Sequence, residues 1–130
     1  MRIKQVSVFV ENKPGRLSEM LEALRQKGIN IRALCVADSS DFGVVRMVLS
    51  DAEEGADAIR QAGFTVKTTE IIGIEVPDVP GGLLKSVVEP LAQAGINLEY
   101  AYGFIDPTPG KALVAIRVDD IDRAEQALGQ

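Results

Sequence analysis

The 130-residue chain contains no histidine, which removes the commonest general base near neutral pH and the commonest zinc ligand. Its one cysteine, Cys35, lies in the apolar run Ala33–Ala37. No intrachain disulfide and no CxxC redox or metal pair can therefore form, and Cys35 reads as a small core filler. Aromatic residues make up only 5% of a chain that is 46% hydrophobic, so the interior must be built from Val, Ile, Leu and Ala. Lys and Arg number 14 against 19 Asp and Glu, a net charge of −5. Phosphate tracking needs clustered cations, which argues against a nucleic acid partner. No apolar run reaches the roughly 18 residues of a membrane span, and Met1–Gln5 leads directly into strand-like sequence rather than a targeting segment. A cytoplasmic protein without a membrane partner is expected. With no nucleophile and base pair and no clustered carboxylates, the chain does not read as an enzyme, and no metal or cofactor is called for.

What is present is a duplication. Asn12-Lys13-Pro14-Gly15-Arg16-Leu17 returns as Asp78-Val79-Pro80-Gly81-Gly82-Leu83, 66 positions on, and Gly28-Ile29-Asn30-Ile31 returns as Gly95-Ile96-Asn97-Leu98, 67 positions on. One residue has been inserted between the two signatures of the second copy. Alternating Val6, Val8 and Val10 match Ile72, Ile74 and Val76, one strand face in each copy. After each Pro-Gly comes a helical pattern, Leu17, Met20, Leu21 and Leu24 and then Leu83, Leu84, Val87, Val88 and Leu91. The inserted residue falls in the second helix beside Pro90, where a bulge or kink is expected.

Strands over Ile31 to about Ala37 and Leu98 to about Ile105 follow, each turning (at Ser39–Gly43 and Asp106–Gly110) into a third strand marked by Val45, Met47 and Leu49 or Val114, Ile116 and Val118. Asp51 and Glu54 predict a capping box for the next helix, whose counterpart starts near Asp120. A fourth strand, Phe64 to about Thr69, closes the first copy, and the sequence reaches Gln130 before the second can form its own. The expected fold is α+β: two tandem βαββαβ units of ferredoxin-like topology, 1–69 and 70–130, with antiparallel sheets of order 4-1-3-2 and helices on one face. The second unit lacks its last strand. The edge of Ile71–Val76 then needs a cover, from another chain or from the first unit.

The repeated corner supports two readings. Pro at the first helical position and a Gly that lets backbone approach closely suffice for a plain turn. Exposed N–H groups at a helix start also attract a carboxylate, and Asn12 or Asp78 stands where it could grip an ammonium or cap the helix. Likewise Asn30 and Asn97, after Gly, suit either a ligand contact or a left-handed turn. Lys13 and Arg16 could assist a carboxylate, whereas Val79 and Gly82 offer no cation, and an ionised Asp78 accepts hydrogen bonds but cannot donate them. Tyr100 and Tyr102 share one strand face and read as packing residues. Gly73 leaves a bare strand backbone that another element is expected to approach.

Asn/Asp-x-Pro-Gly-x-Leu, a helix and then Gly-Ile-Asn-Ile/Leu together resemble the ACT domain family, in tandem and over nearly the whole chain. The resemblance implies a regulatory module of βαββαβ fold of the kind that binds amino acids in phosphoglycerate dehydrogenase and aspartate kinase. It implies a free amino acid as ligand, a metabolic enzyme as partner and a homodimer. The likeness to the phosphoglycerate dehydrogenase type of site rests on Asn12, Pro14, Gly15, Leu17, Gly28 and Asn30 and implies a ligand held between paired domains. Asn12 ends its strand and Asn30 begins a parallel one, so one unit holds them at opposite ends. A near-twofold pair would bring the Asn12 loop near Asn97 and the Asp78 loop near Asn30. The candidate ligand-binding set is thus Asn12, Lys13, Pro14, Gly15, Arg16, Leu17, Asn30, Asp78, Pro80, Gly81, Leu83 and Asn97. The alternative is a structural pairing module without a ligand.

Overall fold

Val6, Val8 and Val10 point to one face of a ten-residue strand, β1 (Arg2–Glu11), and all three are buried, as their alternation requires. The computed structural model describes residues 1–39, 42–105 and 109–129. After β1 come α1 (Arg16–Gln26), β2 (Ile31–Ser39), β3 (Phe42–Leu49), α2 (Ala52–Gln61) and β4 (Thr65–Pro77). A π-helical segment, Leu84–Val88, then continues into α3 (Glu89–Gln93), followed by β5 (Leu98–Gly103), β6 (Lys111–Val118) and α4 (Ile121–Ala127). The chain divides into two compact units, Lys4–Glu70 and Met1–Ile3 with Ile71–Gln130.

In the first unit the strands lie in the order β2-β3-β1-β4, the expected 4-1-3-2. β1 pairs antiparallel with β3 through Val6–Met47 and Val8–Val45, and β2 pairs with the other edge of β3. Met20 and Leu24 of α1 and Ile59 of α2 close over Val6, Val8, Val45 and Met47, each at most 1% exposed. Burying such side chains is worth roughly 1.5–3 kcal/mol apiece. Asp51 caps α2 by accepting from the Glu54 N–H at 3.0 Å, the forward half of the expected box.

In the second unit the order is β4-β6-β5, with Ile72, Ile116, Val87, Leu91 and Ala124 at its core. Asp120 caps α4 by accepting from the Arg123 N–H at 3.1 Å. Among the described residues no strand follows α4, and the place beside Ile71–Gly73 is taken by Met1–Ile3 of the same unit. The Gly73 N–H donates to the Met1 carbonyl at 2.8 Å, and the Met1 ammonium donates to the Gly73 carbonyl at 3.2 Å. A Cβ on Gly73 would meet Ile3 Cδ1 at 3.1 Å, so the bare backbone there admits the close approach the sequence suggested. Arg2 anchors this segment through ion pairs to Asp122 and Glu125.

Several expectations need correction. The two strands expected over Phe64–Thr69 and Ile71–Val76 are one thirteen-residue strand, because Lys67-Thr68-Thr69-Glu70 contains no Gly or Pro to break it. The helix over 82–93 is one residue longer than α1, and the π-helical segment absorbs the extra residue just before Pro90, which cannot donate to Ser86. Of the expected apolar stripe only Val87 and Leu91 are buried, while Leu83, Leu84 and Val88 are exposed. Cys35 is half-buried opposite Arg46 rather than a core filler. Tyr102 is buried opposite Ala115, in keeping with a packing role. The turns expected at Ser39–Gly43 and Asp106–Gly110 include residues 40, 41 and 106–108, which lie outside the described residues. No helix among the described residues is long and apolar enough to cross a membrane. No cluster of three or more Asp, Glu or Cys side chains among them could hold a metal ion.

Candidate functional site

Pro fixes φ near −65° and Gly accepts a positive φ, a pairing that specifies a type II turn. That is what both signatures build. Gly15 has φ 89° and ψ −18°, and the Arg16 N–H donates to the Lys13 carbonyl at 3.3 Å. Gly81 has φ 80°, and the Gly82 N–H donates to the Val79 carbonyl at 2.9 Å. Pro14 therefore sits two residues before α1 rather than at its first position. The N-cap of α1 is Gly15, and the N-cap of the π-helical segment is Leu83; neither end receives a side-chain cap.

The second signature is a helix stop. Gly28 and Gly95 carry the positive φ, 68° and 70°, and no non-glycine residue among those described does, so Asn30 and Asn97 are not left-handed. The Ile29 N–H reaches the Leu24 carbonyl at 3.0 Å and the Ile96 N–H the Leu91 carbonyl at 2.9 Å, a Schellman closure in each copy. The Asn30 backbone is then pinned, its N–H donating to Ser50 Oγ at 2.9 Å and its carbonyl accepting from the Ser50 N–H at 2.9 Å. Asn97 makes the same pair with Asp119, at 3.2 and 3.3 Å. Both asparagine side chains face solvent on a fixed backbone.

Within a unit the two signatures stand apart. Glu11, next to Asn12, pairs with Phe42, while Ile31, next to Asn30, pairs with Leu49; those positions are the two ends of β3, about 24 Å apart at ~3.4 Å per residue. Pro77 and Leu98 likewise pair with the opposite ends of β6, Lys111 and Val118. The structure brings Asn12, Lys13, Pro14, Gly15, Arg16 and Leu17 together at one corner, and Asp78, Pro80, Gly81 and Leu83 at another. It does not bring Asn30 to Asn12, or Asn97 to Asp78.

The first corner roofs a cavity of about 100 Å³ lined by Val10, Glu11, Asn12, Lys13, Leu17, Val36, Gly43 and Val45. Its two cations are already engaged. Lys13 Nζ lies 3.3 Å from Glu11 Oε2, Arg16 Nη1 lies 2.5 Å from Glu19 Oε2, and the Arg16 guanidinium stacks 4.5 Å from the centre of the Phe64 ring. Arg16 Nε is buried 3.7 Å from Glu11 Oε1, inside ion-pair range but without a hydrogen-bond partner. Sequence reasoning missed Glu11, Val36 and Phe64. A carboxylate beside Asn12 was a readable local signal, whereas Phe64 reaches Arg16 only through the fold. At the second corner Gly82 replaces Arg16 and is buried, and a Cβ there would collide with the Pro77 carbonyl oxygen. No cation could occupy that position, and Leu83, the counterpart of half-buried Leu17, is exposed.

The ACT domain pair family matches residues 1–128. Protein BT0572 from Bacteroides thetaiotaomicron, known as a crystal structure, is 38% identical, covers 99% of this chain and 88% of its own, and superposes with a TM-score of 0.92. The ligand-free regulatory subunit of aspartate kinase from Thermus thermophilus is 17% identical over 97% of this chain and 88% of its own, with a TM-score of 0.71. The corresponding subunit from Thermus flavus is 20% identical over the same shares, with a TM-score of 0.66. At those identities the aspartate kinase subunits share the fold. No curated protein matches the chain.

Proposed function

Because the chain belongs to the ACT domain pair family, we propose that it is a non-catalytic regulatory protein that binds a free amino acid at the Asn12–Leu17 corner. Binding sets the state of a partner enzyme or of a homodimer. The observation that carries this reading is the cavity beneath that corner, with room for a small side chain among Val10, Leu17, Val36 and Val45. Asn12 and the corner N–H groups hold the polar end of the ligand. One corner is half of a site, since its own Gly-Ile-Asn turn lies at the far end of β3. A second ACT unit, presenting Asn30 or Asn97, completes it, which makes the ligand a reporter of pairing. Asp78, Pro80, Gly81 and Leu83 form the weaker, ammonium-preferring counterpart.

A thermal-shift screen of the twenty common amino acids tests this, because a ligand at 100 times its Kd adds about 2.7 kcal/mol of stability. A small amino acid should raise Tm, and Asn12→Ala should cut the rise by about half at the same ligand concentration. One observation favours a second reading. Glu11 and Glu19 already neutralise Lys13 and Arg16, as suits a structural pairing module without a ligand. That reading predicts no shift with any amino acid and a concentration-dependent dimer in sedimentation experiments.

A further inference from the structure

The cavity beneath the Asn12–Leu17 corner owes its space to one residue of β3. Directly opposed residues of an antiparallel pair share a face, so Gly43, opposite Val10, continues the helix-facing stripe of Met47 and Val45, which oppose Val6 and Val8. Val6, Val8, Val10, Val45 and Met47 all bury a side chain on that face, and Gly43 has none to bury. Nothing in the backbone calls for glycine there. Its φ is not positive, and an added Cβ would meet only the Val10 and Ala37 carbonyl oxygens, both at an ordinary 3.6 Å. What Gly43 leaves is a gap walled by Val10, Leu17, Val36 and Val45. Val36 pairs with Val45 and so lies on the same face, yet it is 53% exposed at the rim. The second unit has the reverse arrangement. Ala112 opposes Val76 where Gly43 opposes Val10, and Gly103 opposes Val114 where Val36 opposes Val45. There a methyl group occupies the position of the gap, packed against the core, and no side chain stands in the place of Val36.

We propose, resting on the reading of this corner as an amino-acid site, that Gly43 is its specificity-determining residue and makes it selective for a branched aliphatic amino acid. A space of about 100 Å³ takes roughly three water-sized groups at ~30 Å³ each, which matches the three carbons of an isopropyl side chain. The two charged groups that line it, Glu11 and Lys13, are paired with each other at 3.3 Å. A charged ligand side chain entering the gap would lose its hydration without gaining a free partner. An aromatic ring is too large for the space, and alanine leaves part of it empty, at a cost that grows with the volume left. The apolar walls all belong to the first unit, so this unit alone reads the ligand side chain, whichever second ACT unit completes the polar half of the site. At the second corner Ala112 and Gly103 provide no such seat.

The test is titration calorimetry of the whole protein and its variants with the twenty common amino acids. Valine, isoleucine or leucine should bind tightest. Alanine, which lacks two methyl groups of valine, should bind about tenfold more weakly than valine, and threonine, which exchanges a methyl for a hydroxyl, roughly 100-fold. Gly43→Ala should weaken valine about tenfold by filling the gap and leave alanine unchanged, so that the preference between them disappears. Its Tm should not fall, because alanine is favoured over glycine inside a strand. Val36→Ala should weaken valine severalfold and alanine little. An unchanged valine affinity in Gly43→Ala, or an equal loss for valine and alanine, would overturn the proposal. Tightest binding by an amino acid of another class, weakened by Asn12→Ala yet untouched by Gly43→Ala, would overturn the selectivity and leave the amino-acid site standing. No binding by any of the twenty would overturn both.

Discussion

The two Pro-Gly corners have the same type II backbone and lead into helices ended by the same Schellman closure, yet one roofs a cavity lined by Lys13 and is followed by a second cation, Arg16, while the other is followed by a buried glycine. The difference comes down to one position. Arg16 stands off the end of β1, stacked on Phe64 and ion-paired to Glu19, whereas Gly82 is buried against the Pro77 carbonyl. A duplicated backbone thus keeps its turn chemistry while the residue after Pro-Gly changes from a paired cation to a glycine with no room for a side chain.

The most damaging way to break this comparison is to exchange those residues. Gly82→Arg should destabilise the protein by roughly 3 kcal/mol through overpacking, read as a lower urea midpoint, while Arg16→Gly should cost about 1 kcal/mol. Equal losses would show that the corners are alike. Next in size is ligand binding: Asn12→Ala should reduce affinity by about tenfold, the value of one polar contact, and Asp78→Asn should change it less, by titration calorimetry. The helix caps sharpen the comparison from the other side. Asp51→Ala and Asp120→Ala should each cost about 1 kcal/mol, since both carboxylates accept equivalent bonds at 3.0 and 3.1 Å; very unequal losses would mean that the units differ beyond their corners.

The smallest effect belongs to the surface pair of Glu22 and Arg25; the second helix carries a surface pair of its own, Lys85 and Glu89. The hydrogen bond from Arg25 holds the Glu22 carboxyl below its usual range. Its contribution is therefore present above the unfolded carboxyl pKa and fades as pH falls through the folded value. Glu22→Gln should leave Tm slightly less sensitive to pH between about 6 and 3 than the parent protein, and a variant with the same pH profile would assign the pair no role.

Local chemistry explains what the sequence disclosed. Strand alternation at Val6–Val10 and Ile72–Val76, the inserted residue before Pro90, the Asp caps and the duplicated turns are all set by neighbours within a few positions. The errors arose where a fact was distant or one step finer. Pro-Gly announces a turn, but whether Pro14 opens the helix or precedes it depends on which residue takes the positive φ. Leu83 and Val88 continue the apolar pattern of their helix, yet both are exposed. Arg16 looked available until Glu11, Glu19 and Phe64 gathered round it. The strand beside Gly73 comes from 72 residues upstream, and no periodicity reports a partner at that distance.

That last pairing links the order of synthesis to the order of assembly. Residues 1–3 leave the ribosome before the first unit, yet their hydrogen-bonding mate Gly73 emerges only after the whole of it. That tripeptide must wait, unzipped, through the interval, and the high sequence separation makes its pairing a late step in folding. Amide exchange should then show Met1–Ile3 and Gly73 acquiring protection together, after the β1–β3 ladder.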